Sequence, residues 1–360
     1  MLKKKRLNKA PGNIGRKIFI TTAILVLFGI VMIYNVSAAE AFRDFSDRFY
    51  YLKHQSLWAL IGFFLLLILA KIKTSFWRKI AIYLYVANLI FLVLVLLPGI
   101  GSHIQGSSRW LAVGSFIYQP SETMKLLNIL YLSIWLEKKR SLRDFLLLAA
   151  LPSFLVLLEP DLGTAFIIFS CSLFVYFLSG ESRKNIIYTV GLIGFLGTVF
   201  MLSSSYRRDR LTSFMDPTKD PQGISYHVNQ VLMALANGGI FGVGLGESRQ
   251  KYLYLPEAPT DSIFAVIAEE FGFLGAFALL FTFLYFIFLL FRAAQRVKDR
   301  YGRILVASLS AWLGLQIVLN LAAMLALIPL TGLPLPFISY GGSSLLVNMA
   351  AIGIIIGSQK

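Results

Sequence analysis

The chain has few of the residues that staple or metallate a small soluble protein. It holds one cysteine, Cys171, among 360 residues. That excludes an intrachain disulfide and a thiolate metal cluster. Cys171 lies inside an apolar run and reads as a small residue facing helix or lipid. The three histidines form no HExxH pair, and there is no Walker A sequence and no CxxC. Zinc proteolysis and ATP hydrolysis therefore lack their known signatures. Charge is scarce as well: Asp, Glu, Lys and Arg make up 14% of the residues, well below the quarter usual in soluble domains. Acidic side chains are the rarer sign, 18 against 34 basic, for a net charge of +16. The excess does not read as nucleic-acid binding, because Lys and Arg stand in short clusters between apolar runs. Such clusters are topology signals beside lipid headgroups.

Hydrocarbon is what the chain has in abundance, with 57% of its residues hydrophobic. Runs of about 20 apolar residues recur, each able to cross about 30 Å of bilayer core at about 1.5 Å per residue. The short alternating segments of outer-membrane barrels are absent. The expected fold is an all-α polytopic integral membrane protein. Ten spans are expected, near 17–37, 56–70, 79–98, 119–136, 143–158, 162–180, 185–204, 262–291, 303–328 and 340–357. With the N-terminus cytoplasmic, 23 of the 34 basic residues fall inside and 10 outside, and Lys125 lies within a span. This asymmetry places both termini in the cytoplasm. Residues 1–16 then form a basic cytoplasmic tail, and 17–358 a single membrane domain. "VSA" at 36–38 resembles a signal-peptide cleavage site, but the preceding run is longer than a usual signal core, which favours an uncleaved first span. The largest outside segment, 205–261, is a long extracytoplasmic loop between spans seven and eight, and loops of that length are usually functional.

A charge inside or at the edge of a span is costly and marks a functional hypothesis. Three such sites fall on the same outer side. "RWLAVGSFIYQPSETMK" carries Arg109, Glu122 and Lys125; "LEPDLGTAF" carries Glu159 and Asp161; "TDSIFAVIAEE" carries Asp261, with Glu269 and Glu270 deeper. Plainer readings stand beside these. Glu122 and Lys125 are three apart and can form a simple ion pair on a helix. Asp161 and Asp261 each precede a helix and can serve as caps. Glu269 and Glu270 diverge by about 100° on a helix and read as a structural ion pair or polar network. His227 in "YHVNQ" has no second histidine nearby to share a metal, and the glycines of "GVGLG" read as tight turns or close packing.

Taken together, these blocks resemble the SEDS family of shape, elongation, division and sporulation proteins. The strongest match is "NLAAMLALIPLTGLPLPFISYGGSS" (320–344), followed by "SSRWLAVGSFIYQPSETMKL", "EPDLGTA" and "LGESRQKYLYLPEAPTDSIFAVIAEEFGFLGA", in family order. The resemblance implies a peptidoglycan glycosyltransferase that polymerises lipid II on the outer face of the bacterial cytoplasmic membrane. It also implies a class B penicillin-binding protein as partner, divisome or elongasome proteins around it, and undecaprenyl pyrophosphate as the released carrier. By the same resemblance Asp261 is the essential acid, and Glu122, Lys125 and Asp161 are supporting residues; Ser343 lies in the Gly-Gly-Ser-Ser signature. Two departures stand out. Pro259-Thr260-Asp261-Ser262 replaces the common His-Thr-Asp-Phe, and Glu159 stands where Gln is common. "LPEAPTD" and "FISYGGSSL" resemble the FtsW or division branch more than the RodA or elongation branch.

The chemistry expected of these residues is general-base catalysis. Asp261 would take the proton of the acceptor hydroxyl. Arg109, Lys125 and the "RRDR" group, above all Arg210, would meet the charge growing on the pyrophosphate. A divalent cation, Mg2+ or Mn2+, held by Glu122 and Asp261 could share that role. Two rival functions are open at this point: a lipid II flippase, suggested by broken segments such as "PLTGLPLP", and a scaffold for division enzymes.

Overall fold

In hydrocarbon a backbone satisfies its polar groups within one segment only as a helix, and the apolar runs fold accordingly. The computed structural model describes residues 12–104, 107–113, 116–202, 205–252 and 254–359. Most of the basic tail and Lys360 lie outside the described residues. Twelve helices are described: α1 (Gly12–Phe45), α2 (Tyr50–Leu69), α3 (Thr74–Leu96), α4 (Pro120–Trp135), α5 (Leu142–Leu158), α6 (Leu162–Leu178), α7 (Arg183–Leu202), α8 (Ser205–Met215), α9 (Tyr226–Gly238), α10 (Ile263–Ala294), α11 (Arg300–Met324) and α12 (Gly342–Gly357). Of these α1, α2, α3, α10 and α11 are long and apolar enough to cross a membrane, and α6 and α12 are shorter apolar helices.

The helical membrane class is as expected, with one small addition: β1 (Gly101–Ile104), β2 (Ser107–Val113) and β3 (Phe116–Tyr118) form an antiparallel sheet in the order β1-β2-β3. Its register pairs Ser102 with Trp110 and Ala112 with Ile117. Short β-branched and aromatic runs between Gly and Ser turns carry a strand signal, which a search for twenty-residue apolar runs overlooks. The long segment 205–261 between the seventh and eighth expected spans contains α8 and α9.

The core centres on α11. Of its most apolar stretch 72% is buried, against 22–44% for the other four long helices. It packs against α4, α6, α10 and α12, with Trp312, Leu313 and Ile317 at its centre. Outward-facing side chains such as Leu60, Phe64 and Phe281 remain more than 60% exposed, as a lipid-facing surface requires.

The eighth expected span has a break. Gly272 of α10 adopts φ +65°, ψ −167°, a backbone that only glycine takes at low cost. The glycine-rich turn after α9 fits into the break. Val243 and Gly244 donate their backbone N–H groups to the carbonyls of Glu269 and Glu270 at 3.0 and 3.1 Å; Phe273 and Leu274 donate to Gly239 and Ile240 at 2.9 and 3.2 Å. These bonds replace helical ones lost at the break. A Cβ on Gly242 would lie 2.1 Å from the Glu270 carbonyl oxygen, so the approach demands glycine. The two deep acids are structural, as the sequence suggested. Lys251 Nζ lies 2.9 Å from Glu270 Oε1, Asn35 also bonds Glu270, and Ser248 bonds Glu269.

Candidate functional site

Asp261 sits two residues before the first turn of α10 and is 8% exposed. Its main chain is held from two sides. Asn320 of α11 donates to the carbonyls of Asp261 (2.8 Å) and Leu333 (2.7 Å), and Tyr340 donates its backbone N–H to Pro259 at 2.8 Å. The proline-rich segment before α12 is thereby tied to the acid. The carboxyl does not cap α10: Ser262 holds the N-cap position, and no side chain there bonds a helical N–H.

The carboxyl lines a cleft of about 250 Å3 with Asp209, Arg210, Ser213, Ile224, His227, Leu330 and Gly332. α8 contributes Arg210, whose Nη1 donates to the Leu330 carbonyl at 3.2 Å. Burial raises the Asp261 carboxyl to about 7; the charge of Glu257 adds to this, while Ser262 and Arg210 pull it back. A carboxyl titrating near neutrality in a cleft is a candidate proton acceptor.

Glu122 and Lys125 do not line this cleft. Lys125 Nζ lies 2.7 Å from Glu122 Oε1 and 3.0 Å from Gln316 Oε1, with both charged side chains at most 3% exposed. The ammonium also lies 5.6 Å from the centre of the Trp312 ring. Gln316 passes the contact onward by donating to the Pro334 carbonyl at 3.0 Å. Gln316 and Asn320 are four apart, so one face of α11 links the ion pair and Asp261 to the same proline-rich segment. Sequence reasoning missed Gln316; a polar residue in the middle of an apolar helix was the available signal.

Arg109 and Asp161 meet at the turn between α5 and α6. Arg109 donates from Nε to the Glu159 carbonyl (2.9 Å) and from Nη2 to the Pro160 carbonyl (2.8 Å). Asp161 caps α6 by accepting from Thr164 N–H at 3.0 Å. Glu159 is 1% exposed, and neither carboxyl oxygen has a partner among the described residues. Burial, then the charge of Asp161, raises it to about 9, against a smaller pull from Arg109. Gly163 of the same turn packs on Thr331 and Leu333, which brings the turn beside the cleft wall at Gly332. Ser343 lies elsewhere. Its Oγ accepts from Gln119 N–H at 3.3 Å and donates to the Ile117 carbonyl at 3.4 Å, joining α12 to β3.

Glu122 and Asp261, between which the sequence suggests a divalent cation, do not line one cleft. Glu122 Oε1 is taken by Lys125 and the residue is absent from the cleft lining. Among the described residues, no three or more His, Cys, Asp or Glu side chains gather as metal ligands would.

The Cell cycle protein family FtsW/RodA/SpoVE matches residues 16–359 of the chain. Stage V sporulation protein E of Bacillus subtilis (strain 168) is 37% identical, covering 95% of each chain. The probable peptidoglycan glycosyltransferase FtsW of Coxiella burnetii is 38% identical, covering 94% of each. Among solved structures, one described as "Structural coordination of polymerization and crosslinking by a peptidoglycan synthase complex" aligns with TM-score 0.78 at 28% identity, over 96% of this chain and 97% of that one. Rod shape determining protein RodA of Thermus thermophilus aligns with TM-score 0.69 at 27% identity, over 95% of both. The family match runs across the described helices nearly from end to end, and the relatives cover nearly the whole chain: the chain belongs to the FtsW/RodA/SpoVE family, the SEDS proteins.

Proposed function

We infer that the protein is a peptidoglycan glycosyltransferase of the bacterial cytoplasmic membrane. It polymerises lipid II into β-1,4-linked glycan on the outer face, with Asp261 as general base. The observation that carries this reading is the buried Asp261 carboxyl, titrating near 7, in one cleft with the Arg210 guanidinium. The acceptor hydroxyl is a poor nucleophile at neutral pH. Asp261 takes its proton as the oxygen attacks the anomeric carbon of the donor, a step worth about 10²–10⁴-fold. Direct attack inverts that carbon and needs no covalent sugar–enzyme intermediate. The pyrophosphate leaves with the bond electrons, and Arg210 meets its growing charge. The other supporting residues act at a distance: Lys125 with Glu122, Arg109 with Asp161, and Ser343 shape the scaffold around the cleft.

The topology that fits this activity takes α1 to α7 and α10 to α12 as ten spans. Both termini are then cytoplasmic, and α8, α9 and the sheet lie outside. A class B penicillin-binding protein is the expected partner, in keeping with the synthase complex whose fold the chain shares. A septal role is favoured by the relatives named FtsW, such as the Coxiella protein; the sporulation relative at similar identity keeps that branch as the second reading.

The test is labelled lipid II supplied to the purified protein with its cognate partner. Polymer from the wild type and none from an equally well expressed Asp261→Asn variant supports the reading. Leaflet exchange without polymer identifies a flippase, and complex formation with neither identifies a scaffold. Normal glycan from Asp261→Asn removes Asp261 from the base role.

A further inference from the structure

α9 brings a histidine to the cleft that the reaction above leaves unused. His227 Nε2 lies 2.7 Å from Ser262 Oγ, and Ser262 Oγ donates to Asp261 Oδ1 at 3.3 Å. Ser262 is fully buried. A serine at a helix N-cap ordinarily accepts a backbone N–H two or three residues on. Ser262 does not; its hydroxyl is turned instead toward the acid and the imidazole.

A hydroxyl has one proton to give. With that proton on Asp261, the oxygen lone pairs face His227, and the ring presents Nε2–H. The ring is neutral for this purpose, because burial, then the charge of Arg210, lowers His227 to about 4. A neutral imidazole carries a single N–H, and here it is spent on Ser262. The second carboxyl oxygen, Oδ2, lies on the side of Gly332, where an added Cβ would come within 4.0 Å of it, and Gly332 lines the cleft.

We propose that His227 and Ser262 are positioning residues that lock the Asp261 carboxylate through the chain Nε2–H to Oγ and Oγ–H to Oδ1, aiming Oδ2 at the acceptor hydroxyl. The proposal rests on the reading of Asp261 as the base. Oδ2 takes the proton of the acceptor hydroxyl and later yields it to solvent, while Ser262 and His227 keep theirs. An untethered carboxylate turns freely about its last torsion, and misaiming by about 1 Å can cost about 100-fold in rate. Arg210 lines the same cleft, and its role in the proposed reaction is toward the leaving group.

The experiment uses the full-length protein with its penicillin-binding partner and labelled lipid II, reading kcat and KM separately. Ser262→Ala and His227→Leu are each expected to lower kcat about 10- to 100-fold with KM within about twofold. The double variant should fall no further than the worse single one, because one break already opens the chain. His227→Gln, whose amide N–H can replace Nε2–H, and Ser262→Thr should stay within about threefold of wild type. An unchanged kcat in Ser262→Ala, losses that multiply in the double variant, or a folded His227→Gln as slow as His227→Leu overturns the proposal. Asp261→Asn separates the two readings. An active Asp261→Asn defeats the base assignment itself. An inactive one beside a fully active Ser262→Ala defeats only the positioning chain.

Discussion

At the scale of single residues, burial decides what the acids do. The proposed base acts only when deprotonated, and the Asp261 carboxyl is raised to about 7. The rate kcat/KM should therefore rise with pH through about 7 and level off above it. Glu257→Gln removes the second cause of that shift, and the rising limb should move to lower pH; a pH–rate profile of both proteins measures this. Glu159 behaves differently, because it has no partner among the described residues and is raised from 4.5 to about 9. For a group raised on folding, the contribution to stability is complete below about 4.5 and is lost as pH climbs toward 9. Glu159→Gln abolishes that loss. Its Tm should equal or exceed that of wild type at pH 8, with the gap closing as the buffer is acidified. The acids themselves were legible in the sequence, since each interrupts an apolar pattern. Their partners were not: His227 and Ser262 are 35 positions apart, and nothing in "YHVNQ" says which way the ring turns.

At the scale of elements, α11 organises the site. It receives Lys125 from α4 through Gln316 and holds Asp261 through Asn320. Breaking a buried ion pair from one side leaves an uncompensated charge, at a cost of about 3–5 kcal/mol. Glu122→Gln and Lys125→Met should each lower thermal stability by an amount of that order, and the double variant should recover part of it. Turnover per folded molecule, measured beside the melting curve, shows whether the pair does more than hold helices together. A second prediction belongs to the break in α10. Gly272→Ala places a Cβ 2.2 Å from the Gly242 nitrogen at a positive φ, and should cost about 1–3 kcal/mol from the backbone conformation alone. In α7, Gly194→Ala meets nothing within 4 Å and should be neutral or slightly stabilising in detergent melts. Hydropathy located α10 to within a few residues, yet gave no sign of the break. Glycine reads the same in a turn, a bend or a close contact until its neighbour is known, and the neighbour here is another glycine some thirty residues away.

At the scale of the whole molecule, the uneven distribution of Lys and Arg predicts which surfaces face which compartment. Cys171 is buried and is the lone cysteine, so a cysteine-free background needs one substitution. In that background, Lys219→Cys should react with a membrane-impermeant maleimide on intact cells, and Lys139→Cys only after permeabilisation. The opposite pattern would invert the topology and place the cleft on the wrong side for a lipid-linked sugar. The all-helical membrane class could be read from composition, because no other fold tolerates so much hydrocarbon and so little charge. The small sheet and the helices of the outer segment could not, since both are shorter than the length scale on which hydropathy speaks.

The glycine seam at residue 272 also has a mechanical side. Two main-chain bonds tie the turn after α9 to Phe273 and Leu274 beyond the break, and two more tie it to Glu269 and Glu270 at the end of the first half of α10. That half follows directly on Asp261, and α9 carries His227. Through that seam the segment that bears His227 and the helix that begins beside Asp261 are joined main chain to main chain, so a shift of one against the other breaks backbone bonds as well as the contact at Ser262.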